Sequence, residues 1–334
     1  MKREKSLMII SLVVLSLVVI PMSVQAANLN LKVGTIRAEN SPTSLSAMRF
    51  AELVEEKSDG DIEVKVYPNS QLGGILDMIT GMKTGTIDLM YEGLSSYSWV
   101  KGAEPFSIIS VPFLWRSYEH MEVALESERF QKLFDEAAEE SGIRIFEASG
   151  EAESRQLTTE NRPVRTAEDF KGLKIRIAES AVVRKAMEAL EANPTVIPFS
   201  ELYMSLRQGI AEAQENGFIT IKNQSLYEVQ NYLMPTHYIR DIKAWYIAEE
   251  KWNTFTEEQQ QILKEAAIET GEYMTKENEK QVNEAYEFLA NEMEVVEPDL
   301  ESIRKKVIPA FEEEDGSVWP EGLLDYVNEI GEEL

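Results

Sequence analysis

Segments with strand-like and helix-like patterns alternate along the first part of the chain, and this order restricts the fold more than any other feature. Polar and apolar residues alternate over residues 29–35 and 62–67, which predicts two strands. Between them, residues 44–58 place their apolar side chains on one helical face. A helix over 75–84 and a strand over 87–91 follow. This βαβαβ order predicts an α/β fold with a mainly parallel sheet.

Both patterns return later in the chain. They predict a helix over 118–141, strands over 143–148, 173–177, 195–197 and 244–248, and helices over 180–190 and 200–208, the last with Ser200 as N-cap. A chain of 334 residues exceeds what one hydrophobic core usually serves. We therefore expect two domains, each built around its own sheet.

A long helical pattern covers residues 256–293. It opens with the sequence Thr-Glu-Glu-Gln, which is typical of a capping box at a helix start. The broken apolar stripe that follows fits either one helix or two in line. A helix of this length rises about 1.5 Å per residue and is longer than one domain is wide. We therefore expect it to run across both domains.

The N-terminus has the three parts of a secretory signal peptide. Three basic residues near the start precede an apolar run over 7–20, and Val24 and Ala26 provide small residues before a cleavage site. The alternative is a membrane anchor, but the apolar run is shorter than the roughly 20 residues that a spanning helix needs. Cleavage after residues 1–26 would change the formal charge of the chain from −26 to −28. With no cysteine for a lipid anchor, we expect a periplasmic protein that is not lipid-anchored.

The composition excludes several functional classes. A formal charge of −26 argues against nucleic acid as a partner, because phosphate binding needs a basic surface. The chain has no cysteine, so it has no disulfide and no thiolate nucleophile. Its two histidines, His120 and His237, offer few ways to build a histidine-rich metal site or a catalytic triad. We therefore expect no metal and no cofactor.

One region departs from the acidic average. Residues 155–185 contain eight basic and four acidic side chains. Most such runs form a solvated face. Arg176 differs, because it lies inside the predicted strand 173–177 between two isoleucines. An arginine at such a position is either exposed or points into a crevice, where its planar guanidinium would bind a carboxylate through two hydrogen bonds.

Short motifs along residues 29–300 resemble, in order and spacing, those of one protein family. In chain order they are YPNSQLG at 67–73, GTID at 85–88, RQLTTENR at 155–162, LKIRI at 173–177, ANPT at 192–195, PFSELY at 198–203, QEN at 214–216 and YEVQ at 227–230. On these residues the chain resembles the extracytoplasmic solute-binding subunit of a tripartite ATP-independent periplasmic (TRAP) transporter.

The resemblance implies a two-lobed α/β fold of the periplasmic-binding-protein type II style, with a long helix that spans both lobes. It implies a first lobe of residues 27–152 and 242–281 and a second lobe of residues 153–241 and 282–334. The ligand would lie in the cleft between them. The partners implied are the small and large membrane subunits of the transporter, and we expect a monomer.

The resemblance also assigns ligand-binding roles. Arg176 matches the arginine that pairs with the ligand carboxylate, and Arg155 matches a second arginine of the site. Asn216 matches the asparagine of the QEN motif, and Phe199 matches an aromatic cleft wall. The chain departs from the family at Gly217, where a proline usually follows the asparagine.

Further ligand contacts are expected from both lobes. Glu92 in the first lobe and Glu179 after the arginine strand would accept hydrogen bonds from ligand hydroxyl groups. The first-lobe loop 36–42, which contains Glu39, varies in the family and would help to determine which acid is bound. His237 follows a proline near the hinge and is a further candidate for the cleft wall.

These residues favour a binding protein for an organic acid anion. Glutamates beside arginines favour a hydroxylated ligand, a sugar acid such as a uronate, over a C4-dicarboxylate, which two arginines would also suit. A binding protein that presents its closed form to a sensor is a further alternative. Paired carboxylates can also hydrolyse glycosides, but acidic residues are abundant in this chain and we do not expect an enzyme.

Overall fold

The computed structural model describes residues 29–334. The predicted signal peptide, residues 1–26, lies outside the described residues. The strands are β1 Leu29–Gly34, β2 Ile62–Tyr67, β3 Leu89–Gly93, β4 Ile143–Glu151, β5 Gln156–Thr159, β6 Lys174–Ile177, β7 Asn193–Val196, β8 Ala213–Asn216, β9 Tyr232–Met234, β10 Ile242–Ala248 and β11 Glu294–Val295. The α-helices are α1 Pro42–Lys57, α2 Ile75–Lys83, α3 Tyr118–Glu126, α4 Glu128–Ser141, α5 Ala181–Ala189, α6 Leu202–Arg207, α7 Phe218–Asn223, α8 Glu249–Trp252, α9 Glu257–Glu292, α10 Leu300–Val307 and α11 Leu323–Glu333.

The first sheet has the strand order β2-β1-β3-β10-β4. Strand β1 pairs in parallel with β2 and β3, as the βαβαβ pattern predicts, while β10 runs antiparallel to both of its neighbours. One face of this sheet packs under α1 and α9. There Trp245 stacks between Phe50 and Tyr91, with ring centroids 3.9 and 4.2 Å away. We call this sheet and the helices packed on it the first lobe.

The second sheet has the order β11-β9-β5-β8-β6-β7 and forms, with its own helices, the second lobe. Its strand β6 carries Arg176, which lies opposite Thr195 on β7 and Gln214 on β8. The chain leaves the first sheet after β4 and returns to it as β10, so segments 152–155 and 235–241 connect the lobes. Residues from these two connections are therefore positioned at the boundary between the lobes.

Helix α9 is one continuous helix of 36 residues, about 54 Å long at the usual rise. Its capping box is present: the Gln259 backbone N–H donates to Thr256 Oγ1, and the Thr256 backbone N–H donates to the Gln259 side chain. The helix packs against α1 and β4 of the first lobe and against α7 and β11 of the second. The predicted long helix across both lobes is confirmed.

Two local predictions are wrong. The helix expected over 118–141 is two helices, because Ser127 adopts an extended conformation and caps α4 by accepting a hydrogen bond from the Phe130 backbone N–H. Ser200 is not an N-cap residue. It lies inside the short 3-10 turn Phe199–Glu201 that follows Pro198, and α6 begins only after that turn.

The C-terminal helix α11 packs against α3 in the first lobe. The side chain of His120 contacts the backbone oxygen of Val327 at 2.7 Å. The predicted second lobe includes these C-terminal residues, and the predicted lobe boundaries stay a prediction. Within residues 29–334, no helix has the length and apolar character needed to cross a membrane.

Candidate functional site

A cavity lies between the two lobes, next to the segments that connect them. Its volume is about 50 Å³, room for only a few water molecules. The first lobe and its loops, the two connections, the second lobe and α9 all contribute to the wall. The polar residues of the wall are Arg37, Ser41, Thr43, Glu153, Arg155, Asn216, Thr220, Asn223, Gln224, Asp241, Lys243 and Asn278.

Arg176 lies behind this wall and is 2% exposed. Within the described residues its guanidinium donates one hydrogen bond, from Nε to the Ile197 backbone oxygen at 2.9 Å. Burial lowers the pKa of Arg176 to about 10, with a partly compensating effect from the Glu215 carboxylate. At neutral pH the side chain is still a cation. Its two terminal amino groups are free to bind an anion.

Arg155, in contrast, already has a partner. Its Nε and Nη2 donate to the two carboxylate oxygens of Glu215, and the Nη2 distance is 2.7 Å. The Tyr238 hydroxyl donates to the same carboxylate at 2.8 Å. Burial opposes the charge of Arg155, but the pairing with Glu215 outweighs burial and raises its pKa. Arg155 thus lines the cavity as one half of an ion pair.

Arg37 connects the two lobes across the cavity. Its Nε lies 3.3 Å from Glu92 Oε2 in the first lobe, and its Nη1 donates to Thr220 Oγ1 in the second lobe at 3.2 Å. The guanidinium carbon also lies 5.4 Å from the centre of the Phe199 ring. Because these contacts span both lobes, the structure is a closed arrangement of the cleft.

Two carboxylates in the wall have no ion-pair partner among the described residues. Glu153 accepts hydrogen bonds from the backbone N–H groups of Ile219 and Thr220, at 2.6 and 3.1 Å. Asp241 accepts from the Ser95 hydroxyl at 2.6 Å. The Glu153 carboxylate lies so close to Gly217 that a side chain at that position would collide with it. This contact gives a physical reason for a glycine where the family usually has proline.

The predicted site residues lie in three groups. Arg155, Asn216 and Phe199 line the cavity. Arg176 and Glu92 are buried directly behind its wall, where Glu92 accepts from the Thr35 hydroxyl and the Ile36 backbone N–H. The remaining three residues are exposed and do not line the cavity; they are Glu39, Glu179 and His237. Instead, His237 Nδ1 lies 3.0 Å from Gln156 Nε2.

Of the twelve polar residues of the cavity wall, only Arg155 and Asn216 were singled out in the sequence, although Arg37 and Ser41 lie in the predicted contact loop 36–42. The charged or buried residues missed outside that loop include Glu153, Asp241, Lys243 and Asn278. Two had a visible signal, since Lys243 is a lone charge in the otherwise uncharged strand β10, and Asn278 follows Met274 by one helical turn on α9. Within residues 29–334, no group of three or more acidic or histidine side chains is placed to hold a metal ion.

The comparisons with known proteins agree with this architecture. The model of the family described as bacterial extracellular solute-binding protein, family 7, matches residues 33–315. A sialic acid-binding periplasmic protein of Vibrio cholerae is 31% identical over 300 residues, which cover 89% of this chain and 91% of that protein. A solute-binding protein of Roseobacter denitrificans is 32% identical over 250 residues, 74% of this chain and 75% of that protein.

A solved structure has the same fold. It is a TRAP periplasmic solute-binding protein from Roseobacter denitrificans with bound L-galactonate, 28% identical, with a TM-score of 0.84 over 92% of this chain and the whole of that one. The matched family residues include both sheets except the start of β1, the cavity between them and all but the end of the C-terminal region. The chain therefore belongs to bacterial extracellular solute-binding protein family 7, the family of the TRAP periplasmic solute-binding proteins, whose members bind substrates for transport.

Proposed function

We propose that this protein captures a sugar acid with a single carboxylate and delivers it to TRAP membrane subunits. The observation that carries the proposal is Arg176. It is a buried cation whose terminal amino groups donate no hydrogen bond to any described residue. A ligand carboxylate would fill these positions with two charge-assisted hydrogen bonds. Closure of the lobes would exclude water and strengthen the interaction.

The charges around the cavity support one carboxylate and several hydroxyl groups. Four cations and four carboxylates stand in or behind the wall: Arg37, Arg155, Arg176 and Lys243 against Glu92, Glu153, Glu215 and Asp241. Glu215 is occupied by Arg155, and Glu92 lies between Arg37 and Lys243. Among these four cations, Arg176 is then the one with no ion pair to a described carboxylate. Glu153 and Asp241 are carboxylates that can accept from ligand hydroxyls.

The relatives support the same class of ligand. The Roseobacter denitrificans protein holds L-galactonate, a hydroxylated acid, and the Vibrio cholerae relative is named for sialic acid. Our sequence-based choice of a uronate also falls within this class. The C4-dicarboxylate alternative needs a second cation without an ion pair, whereas Arg155 is paired with Glu215 and Lys243 lies 3.8 Å from Glu92.

Arg37 contacts residues of both lobes beside the cavity, so the lobes must separate to admit such a ligand. We infer that the lobes separate by a hinge at the connections 152–155 and 235–241 and close on the ligand. The pattern of residues 1–26 supports export by a cleaved signal peptide, and the lack of cysteine supports release into the periplasm without a lipid anchor. We further propose that the protein acts as a monomer.

Calorimetric titration tests the proposal. Wild-type protein, Arg176→Met and the control Arg304→Met, which replaces an exposed arginine on α10, are titrated with L-galactonate, D-galacturonate and succinate. We expect the wild type and the control to bind a sugar acid more tightly than succinate. We expect Arg176→Met to bind it at least about 100-fold more weakly, because two hydrogen bonds to a charged group contribute roughly 1.5–3 kcal/mol each.

Equal affinity of Arg176→Met and wild type for the sugar acid would contradict the assigned role of Arg176. Tighter binding of succinate than of either sugar acid would favour the dicarboxylate alternative. A sensor-presenting protein would bind the same acid, and its partner would be distinguished by co-purification with the membrane subunits or with a receptor.

A further inference from the structure

Two polar side chains in the cavity wall have no hydrogen-bond partner among the described residues. Lys243 is 4% exposed, and its nearest anion is Glu92, whose Oε2 lies 3.8 Å from the lysine Nζ. Asn278 is 5% exposed, and its side-chain oxygen is buried without a partner. Both residues line the cavity. A buried polar group without a hydrogen bond reduces stability. The unpaired Asn278 oxygen shares its cavity with a lysine whose one ion pair is 3.8 Å long, and this points to a ligand group that hydrogen-bonds to both.

The two residues lie away from the carboxylate end of the cavity. Arg176 donates to the Ile197 backbone oxygen, and the Phe199 ring, two residues further along the chain, lies 5.4 Å from the Arg37 guanidinium carbon. The Nε of Arg37 lies 3.3 Å from Glu92 Oε2, and the same carboxylate oxygen lies 3.8 Å from Lys243 Nζ. In this series of contacts, Arg37 and Glu92 separate Arg176 from Lys243. Lys243 comes from the start of β10 and Asn278 from the middle of α9. A ligand bound at Arg176 would therefore reach them with its other end.

The net charge around Lys243 favours a neutral ligand group at this position. Glu92, Asp241 and Glu153 carry three negative charges, against two positive charges on Arg37 and Lys243 itself. A second carboxylate would meet a net negative environment there. A hydroxyl group fits both partners, because it can accept a hydrogen bond from the lysine ammonium and donate one to the asparagine oxygen.

We infer that Lys243 and Asn278 form a distal subsite that binds the terminal hydroxyl of a sugar acid whose carboxylate is held at Arg176. This inference rests on the proposed function and narrows its substrate class. The ligand is a hydroxylated acid with one carboxylate and a neutral, hydroxyl-bearing tail. The same acid with a second carboxylate in place of its terminal hydroxymethyl group binds more weakly, and so does the acid with a methyl group there.

Three ligands that differ at one position test the subsite by calorimetry. L-galactonate ends in a hydroxymethyl group, 6-deoxy-L-galactonate ends in a methyl group, and galactarate ends in a second carboxylate. We expect wild-type protein to bind L-galactonate roughly tenfold or more tightly than either of the others, since the deoxy acid lacks a hydrogen bond to a charged group and the diacid adds a repelled charge.

Lys243→Met and Asn278→Leu keep the size of each side chain and remove its polar end. Each is expected to weaken L-galactonate binding about tenfold and to change the affinity for 6-deoxy-L-galactonate by less than about twofold. Lys276→Met, an exposed lysine on the same helix α9, is the control and should bind all three ligands like the wild type. If loss of the buried charge prevents Lys243→Met from folding, Asn278→Leu provides the same comparison.

The possible outcomes separate the two proposals. Equal weakening of both L-galactonate and its 6-deoxy form in the variants would overturn the subsite and leave sugar-acid binding intact. Binding of galactarate as tight as that of L-galactonate would also overturn the subsite and leave sugar-acid binding intact. If the wild type binds none of the three acids, the proposed ligand class fails and the subsite fails with it.

Discussion

At the scale of single residues, two arginines of one site, Arg155 half-buried and Arg176 buried, differ because their neighbours differ. Arg155 forms an ion pair with Glu215, which raises its pKa. Arg176 is buried without an ion pair, and burial lowers its pKa to about 10. In the first arrangement each charge compensates the other, while the second lowers the stability of the empty protein and keeps a cation available for the ligand. Sites of binding commonly reduce stability in this way.

The two arginines should therefore respond oppositely to removal. In urea unfolding of the empty protein at pH 7, we expect Arg155→Met to lower the free energy of unfolding by about 3 kcal/mol, because it leaves Glu215 buried and unpaired. We expect Arg176→Met to leave the free energy of unfolding unchanged within about 1 kcal/mol or to raise it, because the substitution removes a desolvated charge. A loss for Arg176→Met as large as that for Arg155→Met would show that Arg176 is structural.

At the scale of secondary-structure elements, a histidine fixes the C-terminal helix to the first lobe. His120 is 1% exposed, and its Nδ1 accepts a hydrogen bond from the Arg116 backbone N–H. Its Nε2 must then carry the proton, and it donates to the Val327 backbone oxygen at 2.7 Å. Gly331 allows α11 to approach, since a Cβ there would lie 2.7 Å from the ring. The neutral imidazole is the form that makes both hydrogen bonds.

This contact should weaken in acid. Burial lowers the pKa of His120 below 6.5, so the unfolded chain takes up a proton at higher pH than the folded one. The stabilisation is therefore complete above about pH 6.5 and decreases as the pH falls. When the pH is lowered from 7.5 to 5, we expect amide exchange in Leu323–Glu333, corrected for intrinsic rates, to become faster.

The other histidine provides the control for this prediction. His237→Gln changes an exposed residue and should retain the pH dependence of exchange in α11. His120→Gln should remove most of it, because the titrating group is gone. Protection of α11 that is the same at both pH values in the wild type would show that His120 does not control this contact.

At the scale of the whole molecule, a short chain of hydrogen bonds holds the two lobes together. Thr220 Oγ1 accepts from Arg37 and donates to Glu153 Oε1. Arg37 belongs to the first lobe, Glu153 to the connection after β4, and Thr220 to α7 of the second lobe. The threonine hydroxyl therefore links three parts of the molecule that must move relative to one another when the cleft opens.

Removal of that hydroxyl should favour the open form. We expect Thr220→Val to increase the radius of gyration of the empty protein in small-angle X-ray scattering and to weaken ligand binding about fivefold, the effect of roughly 1 kcal/mol. Saturating ligand should restore the compact form. The control is Thr80→Val, whose exposed hydroxyl bonds only within α2. An unchanged radius and affinity for Thr220→Val would exclude this contact as a closing element.

Much of the fold could be predicted from the sequence because its signals are local. The alternation in β1 and β2, the capping box at Thr256 and the stripe of α9 depend on residues within a few positions of one another. Predictions failed where a single residue changed the backbone, as at Ser127, which ends one helix and begins the next.

The sequence by itself determined the α/β class, the long helix and, through its ordered motifs, the family. It also predicted ligand-binding roles for Arg155, Arg176, Phe199 and Asn216, and these roles stay predictions. Only the tertiary structure decided which other side chains meet them. It placed Glu92 behind the wall and Glu179 outside it, and it brought in Lys243 and Asn278. The reason is physical: periodicity records neighbours along one element, whereas the cavity is assembled from two lobes, two connections and a long helix that meet only when the chain has crossed between its sheets.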